Sequence, residues 1–310
     1  MKFRSPSVLL LLSLTAKCAF AGVVGGLNLH EVASGVYVHQ GVHELPNRSN
    51  HGEIANIGFI VGDRCVAVID TGGSHEQGKG LKEAIAATTR VPVCYVVNTH
   101  AHPDHIFGNL VFKQAGVVFI GHHKLAQAIS LRGPYYLEKA ERDAGRDVKT
   151  EDLVLPDEGV ENRRVLDLGG RKLTLTAHRT AHTDNDLSVY DDKTETLWLS
   201  DLLFVDHIPV VDGSLNGWLR ELDALKTIKA KLAIPGHGPV AMEWPKAMEP
   251  EVRYLQQLRD DIRGYIKQRK TMERAMEEVG LSTRKDWQLF DEFHKRNIAT
   301  AFAELEWEDD

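Results

Sequence analysis

The chain has 310 residues, with 43% hydrophobic and 26% charged residues; these are ordinary globular values, so a disordered, collagen-like or low-complexity chain is excluded. A formal net charge of −7 argues against a nonspecific nucleic-acid binder, and three cysteines exclude a disulfide scaffold or an all-cysteine zinc module. The unusual figure is 15 histidines, and only their positions can show whether they are ligands.

Residues 1–21 read as an export signal. Lys2 and Arg4 form a positive start, Val8 to Ala16 a short apolar run, and Ala19-Phe20-Ala21 an A-x-A cleavage site. The run is too short to span a bilayer, so a periplasmic or secreted protein with no stable membrane span after cleavage is expected. Strand-length apolar runs follow at 35–40, 54–61, 65–69 and 91–97, with a helical pattern over 75–87. Cys65 and Cys94 lie in two of these runs. They read as buried core thiols, and pairing between them stays open.

Further strands are expected at 117–120, 172–177, 187–190, 196–199 and 232–234, and a helix over 215–230 with Ser214 as its N-cap. The charge-rich stretch 141–158 lacks periodicity and reads as a long loop. From about residue 247 the pattern is wholly helical: a stripe from Val252 to Ile266, a second helix ending at Gly280, and a third over 290–306. This tail is expected either to cap the main domain, the favoured reading, or to form an oligomer contact. Strands alternating with helices give an α/β or α+β class. The expected division is a signal at 1–21, a main domain at 22–245 and a helical extension at 246–310.

The chemistry concentrates just after the strand VCYVV, in Thr99-His100-Ala101-His102-Pro103-Asp104-His105. Three histidines and an aspartate in this H-x-H-x-D-H spacing suit Zn²⁺, which takes imidazole and carboxylate ligands. His182 follows the strand KLTLTA, Asp201 ends the strand TLWLS, and His237 follows the strand LAI. All therefore sit at strand C-terminal ends, where parallel strands of one sheet would share a rim. Seven donors exceed the three or four that one zinc needs and suit two ions. Two Zn²⁺, two carboxylates and a hydroxide leave about +1 of charge, which suits a substrate with a carboxylate or a polarised carbonyl. Asp70 reads either as a carboxylate orienting a ligand histidine or as a turn aspartate. His207 and His294 are weaker candidates for the pocket, and His122 and His123 read as helix-start packing.

Together VAVIDTGG, THAHPDH, the AHTDND turn, LSD and PGHG resemble the metallo-β-lactamase superfamily over about two-thirds of the chain. The resemblance implies an αββα sandwich with metals at one edge. It implies that His100, His102 and His182 hold a first zinc, that Asp104, His105 and His237 hold a second, and that Asp201 bridges them. A metal-bridging hydroxide would then attack an ester, thioester, lactone or amide-type small-molecule substrate, with Asp104 orienting it. Several segments, including NHGEIANIGFIVGD, VVDGSLNGWL and HKRNIATAFAELE, look like the quinoprotein relay system zinc metallohydrolases. That likeness implies a periplasmic quinoprotein dehydrogenase as a partner. The alternatives are a zinc β-lactamase of the third subclass and a non-catalytic zinc-binding accessory protein.

Overall fold

The computed structural model describes residues 21–24, 27–146 and 148–308. The export signal expected at 1–21 lies outside the described residues except for Ala21, which opens the first strand.

The first half of the chain builds an eight-stranded sheet in strict chain order. Its strands are β1 (Ala21–Val24), β2 (Leu27–Ala33), β3 (Val36–His39), β4 (Ile57–Val61), β5 (Val66–Ile69), β6 (Val93–Val97), β7 (Val118–His122) and β8 (Glu158–Val160). β1 to β5 form an antiparallel meander, and β5 to β8 are parallel. Helices α1 (His75–Thr88), α2 (Pro103–Ile106) and α3 (Leu125–Ala144) connect the parallel strands. The second half builds a six-stranded sheet from β9 (Arg163–Asp167), β10 (Lys172–Ala177), β11 (Leu187–Asp191), β12 (Thr196–Phe204), β13 (Leu232–His237) and β14 (Met242–Glu243). Helix α4 (Leu215–Leu225) joins β12 to β13, and the tail forms α5 (Glu249–Lys267), α6 (Met272–Glu278) and α7 (Phe290–Leu305). No helix among the described residues is long and apolar enough to cross a membrane.

Side-chain alternation decides the layering. Val36, Val38, Ile60, Ala67, Ile69 and Val97 of the first sheet meet Leu173, Leu175, Val189, Trp198 and Ile234 of the second in one core. The opposite faces carry the helices. Val66, Val68 and Phe59 pack on Leu81, Ala84 and Ile85 of α1. On the second sheet, Leu197, Leu199 and Leu203 pack with Trp218, Leu255, Leu258, Ile298 and Phe302 from α4, α5 and α7. The result is an αββα sandwich whose helical extension shares the outer core of the second sheet. Each of these large apolar side chains contributes about 1.5–3 kcal/mol by burial.

Four expectations need correction. The strands that carry the site do not share one sheet: β6 is in the first and β10, β12 and β13 in the second. β10, β12 and β13 nevertheless run in one direction, because β10 and β12 are both antiparallel to β11 and β12 is parallel to β13. Asp201 does not end a strand, since β12 continues fully buried to Phe204. The stretch 141–158 is not one long loop. It opens with the last turn of α3, closed by Gly145 in the left-handed conformation, and ends in β8. Cys65 and Cys94 are not free core thiols. They form a disulfide that joins the residue just before β5 to the start of β6.

Candidate metal centre

The chain reverses sharply after β6, and two buried amides lock that reversal. Thr71 donates to Asn109 Oδ1 (2.8 Å), and Asn98 and Asn109 exchange side-chain bonds at 3.1 and 2.8 Å. Pro103 then starts the single-turn α2 with His102 at its N-cap, so His100, His102, Asp104 and His105 are delivered within one tight bend. The second sheet is tied to this bend by Leu187 N–H donating to Thr99 O at 2.8 Å. Asn56 likewise joins the first sheet to β13, through its N–H to Gly236 O (2.7 Å) and its side chain to Pro235 O (2.9 Å).

Asp201 is turned into the site by an irregularity in β12. The β12–β13 register shifts on either side of Ser200, which has a φ of +50°. Gly236 makes room for it: a Cβ there would stand 1.9 Å from Asp201 Oδ1. A positive φ at a non-glycine residue costs energy that the surroundings must supply.

Each histidine has one ring nitrogen held and the other free to face a common point. His105 Nδ1–H donates to Asp70 Oδ2 (2.9 Å), His182 Nδ1–H to Val210 O (2.7 Å), and His237 Nδ1–H to Ile54 O (2.9 Å). His102 is reversed, with Nε2–H on Asp212 Oδ2 (3.0 Å). His100 Nδ1 lies 3.1 Å from Thr99 Oγ1. These partners hold one nitrogen of each ring and aim the other inward, where a metal would take it unprotonated.

Two donor groups result. The first is His100, His102, His182 and Asp201, the second Asp104, His105 and His237, with the ligand atoms of each group within 4.8 Å of one another. Asp201 reaches both. Its Oδ2 lies 3.7 Å from His100 Nε2 and 3.4 Å from both His182 Nε2 and His237 Nε2, and its Oδ1 lies 3.1 Å from His105 Nε2. Asp104 Oδ2 lies 3.4 Å from both His105 Nε2 and His237 Nε2.

The donors fit divalent metal. His100 Nε2, His105 Nε2 and Asp201 Oδ1 are buried with no hydrogen-bond partner. Asp201 Oδ1 and His105 Nε2 are close but misaligned for a bond. His182 Nε2 and His102 Nδ1 face each other at 3.1 Å with both protons committed elsewhere, so two lone pairs oppose until a cation lies between them. Imidazole and carboxylate in these proportions are a zinc donor set.

Without metal, the site divides electrically. Burial lowers His100 well below the usual histidine value, and the neighbouring His105 adds to this. Burial likewise lowers His182 to about 4. For His237 burial is outweighed by the Asp201 charge and by hydrogen bonds that its ring donates to Asp104 and Asp201, which raise it to about 9. His105 is raised well above its usual value because Asp201, Asp104 and Asp70 overcome its burial. Asp104 and Asp201 are held well below the carboxylate range: burial opposes this, but the surrounding histidines prevail.

His102, Asp104, His182, Asp201 and His237 line one cavity of about 240 Å³. Asp70 lies behind it, fully buried, where it also accepts from Thr99 N and Thr99 Oγ1 at 2.8 Å each. His207 lines the cavity with its ring 4.9 Å from that of His237, and burial lowers it to about 3, so it is neutral. His294 does not reach the cavity. It bonds Tyr254 OH (3.0 Å) and Val279 O (2.9 Å) inside the tail, while Phe293 and Arg296 of the same helix form cavity wall. His122 and His123 stack on each other away from the site.

Residues not singled out from sequence also shape the site. Asp212 holds His102 and pairs with Arg296. In the sequence Asp212-Gly213-Ser214 reads as a helix-capping segment, and Ser214 is the cap. Tyr136 and Arg146 reach the wall from α3 and the residue just beyond its cap, a helix whose Gly133-Pro134 hid its periodicity.

A family model described as the metallo-beta-lactamase superfamily matches residues 52–237. The Beta-lactamase-like protein 2 homolog of Caenorhabditis elegans is 27% identical over 175 residues, which are 56% of this chain and 52% of that protein. The chain thus spans about half the length of that curated relative. Among solved structures, a metallo-beta-lactamase from Pontibacter korlensis aligns with a TM-score of 0.60 at 21% identity, covering 74% of this chain and 99% of that one. The metallo-beta-lactamase FIM-1 from Pseudomonas aeruginosa, in its mono-zinc form, aligns with a TM-score of 0.59 at 17% identity, covering 74% and 95%. At these identities the structural likeness shows the fold.

Proposed function

Because the chain belongs to the metallo-β-lactamase superfamily, we propose that it is an exported hydrolase holding two zinc ions and acting on an ester, thioester, lactone or amide-type small molecule. The convergence of seven donors, in two groups joined by Asp201, with five of them lining one cavity, carries this reading. Zinc held there supplies Lewis acidity and lowers the pKa of a water from 15.7 to about 7.

The protein's own groups set the rest. Asp104 stands at the cavity surface on α2. Its carboxylate is the group that would orient the attacking water and pass the proton to the leaving group. Asp70 and Asp212 keep His105 and His102 in register. Phe204 stacks on His237 with centroids 5.1 Å apart and, with Phe293, limits access of bulk water. The Cys65–Cys94 bond supports export, since such bonds persist in oxidising compartments. Residues 1–21 are the proposed signal, 22–245 the hydrolase domain, and 246–310 an extension that completes the cavity wall. The proposed partnership with a periplasmic quinoprotein dehydrogenase rests on the motif resemblance alone.

Metal analysis combined with a substrate panel tests the reading. Two zinc equivalents per chain are expected, with turnover of one class among a β-lactam, a lactone, a glutathione thioester and a sulfate or phosphate ester. His100→Ala should lose both full loading and turnover. Undiminished hydrolysis by that variant would overturn the assignment.

A further inference from the structure

Three cations line the cavity, and two of them are already neutralised. Lys139 pairs with Asp143 at 3.2 Å, and Arg296 pairs with Asp212. Arg146 is different. Gly145, with φ of +60°, ends α3, and the Arg146 N–H bonds back to Ala140 O at 3.2 Å, which folds the residue over the cavity rim. Its guanidinium carbon stands 5.2 Å from the Phe107 ring centre. It also lies against Gly52, where a Cβ would come within 2.9 Å of Nη1 and where φ is +77°. Position 52 thus has both the space and the backbone that favour glycine, and the guanidinium sits between a ring and a bare backbone. Its Nε and Nη1 are buried and bond to no described residue. Burial pulls its pKa down, against the opposing pull of Asp104, Glu76 and Asp143, although a guanidinium remains charged.

A desolvated cation with two donors that bond to no described residue is costly, and a planar fork of donors matches a carboxylate. The surrounding wall is largely apolar, from Leu45, Ile54, Tyr135, Tyr136, Phe204 and Phe293. We propose that Arg146 is the seat for the carboxylate of an amphipathic substrate, whose hydrophobic body fills the cavity and whose scissile group lies over the metal donors. This rests on the hydrolase reading and narrows it to anionic substrates with an apolar body.

Binding and turnover test it separately on the full zinc-loaded protein. Benzylsuccinate serves as the binding probe by calorimetry. Arg146→Gln should weaken its binding about 10- to 100-fold, and Arg146→Lys, which keeps the charge and stem but not the fork, should lie between. Two aryl esters serve for turnover, 4-nitrophenyl hemiglutarate and neutral 4-nitrophenyl butyrate. Arg146→Gln should raise KM for the anionic ester about tenfold or more while changing kcat/KM for the neutral one by less than about twofold. A wild-type protein that does not bind benzylsuccinate, or equal affinities in wild type and both variants, would overturn the seat. Lost probe binding in the variant, with wild type turning over neither ester nor any class in the substrate panel, would sink the hydrolase reading and leave the seat standing. Turnover of both esters with an unchanged preference in the variants would do the reverse.

Discussion

At the residue scale, the site depends on groups that never face the cavity. Asp70 accepts from Thr99 N, Thr99 Oγ1 and His105 Nδ1, with Ser200 Oγ at 3.3 Å, so one buried carboxylate fixes a ligand, the bend that bears three others and the strand bulge beside Asp201. Asp70→Ala should lower metal affinity about 10- to 100-fold, as loss of such an orienting partner does, measured by chelator competition. Asp212→Asn should act in the same direction through His102, leaving the Asp104–His105–His237 group less affected. Proton linkage gives a further test. In the metal-free chain His237 is raised to about 9, so it holds a proton at pH 7, and His105 is shifted in the same direction. Metal requires both neutral, so loading at pH 7 should release about one proton or more. Affinity should climb as pH rises toward about 9, where His237 loses its proton. Calorimetry in buffers of different ionisation enthalpy measures the release, and a value near zero would contradict the linkage.

At the element scale, α7 is more than a cover. Glu304 accepts from Ser214 Oγ (2.7 Å), Leu215 N (2.6 Å) and Asn216 N (3.2 Å), so the tail satisfies the amides at the start of α4. Glu304→Ala should cost about 1–3 kcal/mol in urea unfolding, because it leaves those donors unmet. It should also hasten proteolysis of the tail. The elements differ in how far their sequences disclosed them. β10 matches its apolar run to the residue, because Lys172–Ala177 alternates and turn residues bound it. β12 runs beyond the expected 196–199, because Ser200 and Asp201 look like a terminus in the sequence whereas tertiary burial carries the strand past them. In α3, Gly133 and Pro134 break the propensity argument, but Ala128, Ile129, Tyr136 and Ala140 still make a stripe against Ile106 and Phe107. The metal motifs were legible because they are local spacings. Asp212, Arg146 and Arg296 were not, because their roles exist only once distant elements meet.

At the scale of the whole molecule, the disulfide and the metal donors occupy opposite ends of the first sheet. Cys65 precedes β5 and Cys94 stands at the start of β6, while the donors follow the end of β6. A bond closing a separation of 29 residues should contribute about 3–4 kcal/mol by restricting the unfolded chain. The double Cys65→Ser, Cys94→Ser variant should therefore lose that stability in urea titration. Its metal affinity should stay nearly unchanged, since the β6 end that bears the donors is held by other bonds.

The division of the sandwich into consecutive halves has one more consequence. All strands of the first sheet precede residue 161 and all strands of the second follow it, yet His100, His102, Asp104 and His105 come from the first stretch and His182, Asp201 and His237 from the second. Neither stretch owns a finished coordination sphere. Metal capture would thus report that two consecutive pieces of chain have met in the correct register, which would make the ion a proofreader of assembly as well as a tool of chemistry.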